Sequence, residues 1–177
     1  MRRGDSIARR ASREDVVKKS TFIGNFVAWV IVAALGIAFL AWYHMTDFEV
    51  VSAAIGDSAF VQLGVVLASP LLLYAIGVLI GLLLVWFKRI RMGGVARTVC
   101  LVLALLALAF VLLAGVPALV PDTAGTLMIP TVVIVYVTMV APIMVMFFGF
   151  LYALGLAPAD ASKRGPLSRH LPDERAE

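Results

Sequence analysis

The stretch VWFKRIRMGGVAR, residues 85–97, places four basic residues and no acidic residue between two long apolar segments. The chain has 177 residues, of which 62 % are hydrophobic and 15 % are charged. Soluble domains are usually about a quarter charged. The composition is therefore that of an integral membrane protein, and residues 85–97 are expected to connect two of its membrane helices.

Four windows of the chain contain no Asp, Glu, Lys or Arg. A helix needs about 20 apolar residues, at a rise of about 1.5 Å each, to cross about 30 Å of hydrocarbon, and each window is longer than that. The sequence predicts an all-α integral membrane fold, an antiparallel four-helix transmembrane bundle within residues 22–156. The predicted helices cover residues 22–44, 60–87, 98–119 and 128–156.

The basic residues all fall in alternate segments between these helices. The 15 Lys and Arg residues lie only in residues 1–21, 88–97 and 157–177, which successive crossings place on one side of the membrane. Segments rich in Lys and Arg stay in the cytoplasm. We therefore expect a plasma (inner) membrane protein with both termini cytoplasmic, a basic N-terminal arm and, because its tail is polar and proline-rich, a disordered C-terminal end.

The basic segments are expected to contact anionic lipid headgroups or a protein partner. Each basic residue near the surface of an anionic membrane contributes about 1 kcal/mol of attraction. Aromatic residues do not alternate with the charges, as they do on surfaces that stack single-stranded nucleic acid, so nucleic acid is not an expected partner. The basic residues of the loop are Lys88, Arg89, Arg91 and Arg97.

Two predicted helices carry a proline followed by small residues at the same spacing, which brings all three residues to one helix face. Such a face allows a neighbouring helix to approach closely, and each proline is expected to kink its helix. The match also raises the hypothesis of two tandem hairpin repeats related by an axis along the membrane normal. The alternative is that Pro and Gly are simply common in membrane helices. The residues are Pro70, Gly77 and Gly81 in one helix and Pro142, Gly149 and Ala153 in the other.

The predicted helices contain no Asp, Glu, Lys or Arg. Such groups are costly inside a membrane and usually functional there, so their absence argues against a buried proton-carrying carboxylate and against voltage sensing. The acidic segment with Asp47, Glu49 and Asp57 lacks the ligand spacing of a calcium loop. We expect no catalytic residue, no cofactor and no metal site.

Four polar residues near the two prolines could line a small cavity at the membrane midplane for a neutral or weakly polar ligand. The alternative is that they provide hydrogen bonds to the kinked backbone. These residues are Ser69, Tyr74, Tyr136 and Thr138.

Three functional hypotheses remain open from the sequence. The favoured one is a non-catalytic accessory or structural subunit, present as a homo-oligomer or within a larger membrane complex. The second is a small oligomeric transporter or channel for a neutral or weakly polar solute. The third is a membrane enzyme that uses the acidic segment.

Overall fold

The computed structural model describes residues 3–88, 90 and 92–158, and these residues are almost entirely helical. Long apolar runs favour helices in a membrane because a helix satisfies its backbone hydrogen bonds within one segment. The helices are α1 (Arg3–Met45), α2 (Phe48–Asp57), α3 (Ala59–Lys88), α4 (Gly94–Leu113), α5 (Val116–Leu119), α6 (Ala124–Val140) and α7 (Pro142–Gly155), with a 3-10 turn at Pro121–Thr123.

Within the described residues, three stretches are long and apolar enough to cross a membrane: Phe22–Met45, Ala59–Lys88 and Gly94–Leu119. A fourth exists only if Gly125–Val140 and Pro142–Gly155, which meet at a bend of 100°, form one span. The prediction of an all-α chain is confirmed for the described residues. These residues contain three or four candidate membrane spans, where four were predicted.

The most extensive helix contact is between α3 and α7, whereas α1 packs mainly against α3 and α4 mainly against α7. The helices α3 and α7 run in the same direction, since Tyr74 lies at Gly149 and Gly81 lies further along at Ala153. Parallel packing is possible because these helices are alternate, rather than successive, segments of an up-and-down chain. One buried core cluster lies along this pair and contains Tyr74, Val78, Leu82, Val145 and Ala153.

The last predicted helix, residues 128–156, is divided in the structure. The break lies at Ala141, whose φ of −137° and ψ of 58° are not helical. Pro142 has no N–H to donate to the carbonyl of Thr138, and its ring disfavours the helical conformation in the residue before it. Proline alone does not enforce a break, because α3 continues through the buried Pro70.

The helix α1 includes residues 3–21 of the predicted N-terminal arm. The helix α1 begins at Arg3 and continues without interruption into the first span. The acidic segment after that span forms the helix α2, with Glu49 in its first turn. Most of the predicted tail, residues 159–177, lies outside the described residues.

Candidate functional site

The α3–α7 contact brings two backbones together at glycine residues. A Cβ atom on Gly77 would overlap the carbonyl oxygen of Met146, and a Cβ atom on Gly149 would overlap the carbonyl oxygen of Tyr74. Backbone approach of this kind is the reason why small residues occupy helix interfaces in membranes. Side chains larger than hydrogen at these two positions would force the helices apart.

The two glycine contacts are equivalent to each other. Gly149 lies 72 residues after Gly77, and Met146 lies 72 residues after Tyr74. The contact of Gly77 with Met146 therefore corresponds to the contact of Gly149 with Tyr74, with the roles of α3 and α7 exchanged. Gly81 faces Ala153, the residue 72 positions later, and a Cβ atom added to Gly81 would lie 2.6 Å from the Cβ of Ala153. The contact therefore has a local two-fold axis parallel to the helices.

This equivalence does not extend to the prolines that precede the glycines. Pro70 is inside a continuous helix and fully buried, whereas Pro142 is the first residue of α7 and follows the 100° bend. The segments that follow the two prolines thus make equivalent contacts, whereas the segments that precede them differ, because α3 is continuous through Pro70 and the chain bends before Pro142.

A cluster of aromatic and amide side chains lies beside the glycine contact. The ring of Trp29 is 5.3 Å from that of Tyr74 and 5.6 Å from that of Tyr152, measured between centroids. The Tyr152 hydroxyl donates a 2.9 Å hydrogen bond to Oδ1 of Asn25, and the Tyr74 hydroxyl donates a 3.0 Å bond to the carbonyl oxygen of Ala104. The cluster therefore links α1, α3, α4 and α7.

Sequence reasoning did not connect these four side chains. A signal was present in α1, where Phe22, Phe26, Trp29 and Ala33 recur at helical spacing and mark one face. The first three pack against the core cluster, and Ala33 is buried. The partner of Asn25 could not be identified from the sequence, because Tyr152 lies in the last helix.

The four residues expected to line a cavity have different environments. Tyr74 is fully buried, whereas Tyr136 is 65 % exposed, so their rings do not face one cavity. Ser69 is half-buried. The hydroxyl oxygen of Thr138 is buried and has no hydrogen-bond partner among the described residues.

The basic loop residues also differ in what they contact. Arg97 donates from Nε to the carbonyl oxygen of Gly155 at 2.8 Å and so binds the C-terminal end of α7, where a cation is favoured by the helix dipole. Lys88 is exposed at the end of α3. Arg89 and Arg91 lie outside the described residues.

Metal-binding groups do not gather in the described part of the chain: no three His, Cys, Asp or Glu residues there could hold one ion. Comparison with protein-family models, with curated proteins and with solved structures finds no match to this chain.

Proposed function

We propose that this chain is a non-catalytic multi-pass membrane protein, an accessory or structural subunit of a membrane complex. The observation that carries the proposal is that polar side chains of the apolar helices bind other helices of the same chain. Tyr152 binds Asn25 of α1, Tyr74 binds a carbonyl of α4, and Thr131 of α6 binds the carbonyl of Ala114 at 2.8 Å. These three hydrogen bonds connect helices of the same chain, and such contacts support a structural role for the groups that make them.

The surface that remains is suited to lipid or to another membrane protein. The helix α6 has no charged residue and is mostly apolar, yet many of its large apolar side chains are exposed, among them Ile129 at 73 % and Met139 at 81 %. Exposed apolar surface of this extent is rare on soluble monomers. It supports membrane insertion and association with a partner or with further copies.

We also propose that the N- and C-termini face the cytoplasm of a cell whose plasma (inner) membrane holds the chain. The distribution of charge supports this orientation: Lys88 and Arg97 lie at one end of the helices, and Asp47, Glu49 and Asp57 lie beyond the other. Thiol labelling from outside intact cells tests it, in a Cys100→Ser background. A cysteine at Ser52 should react with an impermeant reagent, and a cysteine at Gly93 should not.

Affinity purification of the full chain in a mild detergent tests the proposed role. Mass spectrometry identifies the co-eluting proteins, and light scattering gives the mass of the complex. A stoichiometric partner that an unrelated multi-pass protein with the same tag does not retain supports an accessory subunit. A monomer that retains no protein would contradict both an oligomer and a subunit role.

An oligomeric transporter or channel for a neutral or weakly polar solute is the alternative proposal. The feature that favours it is the break at Ala141, with the buried Thr138 hydroxyl nearby, because broken helices form substrate sites in several transporter folds. Flux of solutes into proteoliposomes tests this alternative. Uptake that Thr138→Val abolishes and Thr126→Val preserves would favour transport over the subunit role.

We infer, finally, that α1–α3 and α4–α7 are tandem hairpin repeats. The reciprocal contacts of Gly77 and Gly149 support this, although Pro70 and Pro142 differ in local structure. Repeats of this kind predict that equivalent substitutions at the two glycines have similar energetic costs. Widely different costs for Gly77→Ala and Gly149→Ala would count against the repeat.

A further inference from the structure

A shallow groove follows one side of α3 near its C-terminal end. It is lined by side chains three, four and seven residues apart, which form one stripe along a helix. The lining is apolar except at the end of the helix, where a lysine closes the stripe. The lining residues are Ile80, Leu83, Leu84, Phe87 and Lys88.

The charge at the end of this groove is available to a ligand. Lys88 is exposed, and within the described ranges no carboxylate pairs with it. Its neighbour in the basic loop, Arg97, is instead bound to the carbonyl of Gly155. In the sequence, Arg89 and Arg91 lie one and three residues after Lys88, in the same loop.

We propose that this groove binds an anionic phospholipid, with one acyl chain along the apolar stripe and the phosphate at Lys88. From Ile80 to Lys88 the helix rises about 12 Å, so the stripe accommodates the half of an acyl chain that is nearer the headgroup. Trp86, exposed one residue before Phe87, is of the residue type enriched at headgroup depth. The inference shares with the proposed function only the location in a membrane.

Lipid binding to the purified full chain tests the proposal. Native mass spectrometry is carried out with added phosphatidylglycerol or phosphatidylcholine of identical acyl chains. Phosphatidylglycerol should bind about fivefold more tightly, the factor that corresponds to about 1 kcal/mol for one basic residue. Lys88→Gln should remove this preference, whereas Lys18→Gln, with the same loss of charge in the N-terminal arm, should retain it.

A second pair of variants tests the groove itself. Leu83→Trp fills the groove and should weaken the binding of both lipids. Leu105→Trp is its control, because Leu83 and Leu105 are 44 % and 46 % exposed on different helices. Equal binding by the two tryptophan variants, or an unchanged phosphatidylglycerol preference in Lys88→Gln, would overturn the proposal. Neither result depends on whether a partner protein co-purifies, so the subunit role stands or fails separately.

Discussion

The Tyr152 hydroxyl donates a 2.9 Å hydrogen bond to Oδ1 of Asn25 and so joins two helices whose bonded residues are 127 positions apart in the chain. The backbones of α1 and α7 do not form a major contact, since each packs mainly against α3. Their connection is made by side chains, with Trp29 against the Tyr152 ring. This bond links the first hairpin directly to the last helix.

Removal of the Tyr152 hydroxyl is expected to loosen this link without disturbing the ring contact. Tyr152→Phe should lower the free energy of unfolding by about 0.6 kcal/mol, a typical value for a hydrogen bond between membrane helices. Steric trapping in bicelles measures this change. Tyr136→Phe is the control, because its ring is 65 % exposed, and an equal loss in both variants would show that the bond to Asn25 contributes nothing.

A methyl group at the α3–α7 glycines is expected to be strongly destabilising. In Gly77→Ala the new Cβ meets the backbone of Met146, which no side-chain rotation can relieve. We expect a loss of about 3 kcal/mol in the free energy of unfolding, in the range of overpacked cores. The same unfolding measurement applies.

The control for this substitution is Gly24→Ala, where a Cβ would meet nothing within 4 Å. Because Ala favours a helix over Gly by about 1 kcal/mol, this variant should be neutral or more stable. A neutral Gly77→Ala would mean that α3 and α7 are further apart than the structure indicates.

Replacement of the proline at the break should straighten the last pair of helices. Pro142→Ala supplies an N–H for the Thr138 carbonyl and permits Ala141 to become helical. Spin labels at the exposed Met128 and Phe147 should move about 8 Å further apart, from a rise of about 1.5 Å per residue along two straightened arms. Double electron–electron resonance measures the distance between the two labels, in a Cys100→Ser background.

Pro130→Ala is the matched control for the break, since Pro130 lies inside the continuous helix α6. It should leave the distance between the labels unchanged. An unchanged distance in Pro142→Ala as well would show that packing of α6 against α4 and α5, and not the proline, fixes the bend.

The last turn of α7 is expected to depend on Arg97. Arg97→Lys retains the charge but loses the Nε donor to Gly155, and hydrogen bonds to charged groups contribute about 1.5 kcal/mol or more. The amides of Ala153–Ala157 should therefore exchange with deuterium about tenfold faster. Lys88→Gln is the control, and equal protection in all three proteins would contradict a role for Arg97.

The sequence anticipated the regular parts of this fold because they depend on local properties. Absence of charge over long windows predicts helices such as α3, and the helical spacing of Gly77 and Gly81 identifies the face on which they lie. A kink was predicted at both Pro70 and Pro142, but the sequence did not distinguish the break at Pro142 from the continuous helix at Pro70, because both prolines have apolar neighbours and are followed by small residues. Their different outcomes depend on the helices packed around them.

By itself, then, the sequence predicted an all-α chain with four apolar segments of membrane length, since a long apolar segment that crosses hydrocarbon as a helix satisfies its backbone hydrogen bonds within the segment. Only the tertiary structure decided that Gly77 meets Met146, that Tyr152 binds Asn25 and that the chain bends at Ala141. In uniformly apolar helices the side-chain pattern no longer distinguishes a face toward lipid from a face toward protein. The choice of neighbours then depends on how closely two particular surfaces fit, which is a property of pairs of helices and not of either sequence alone.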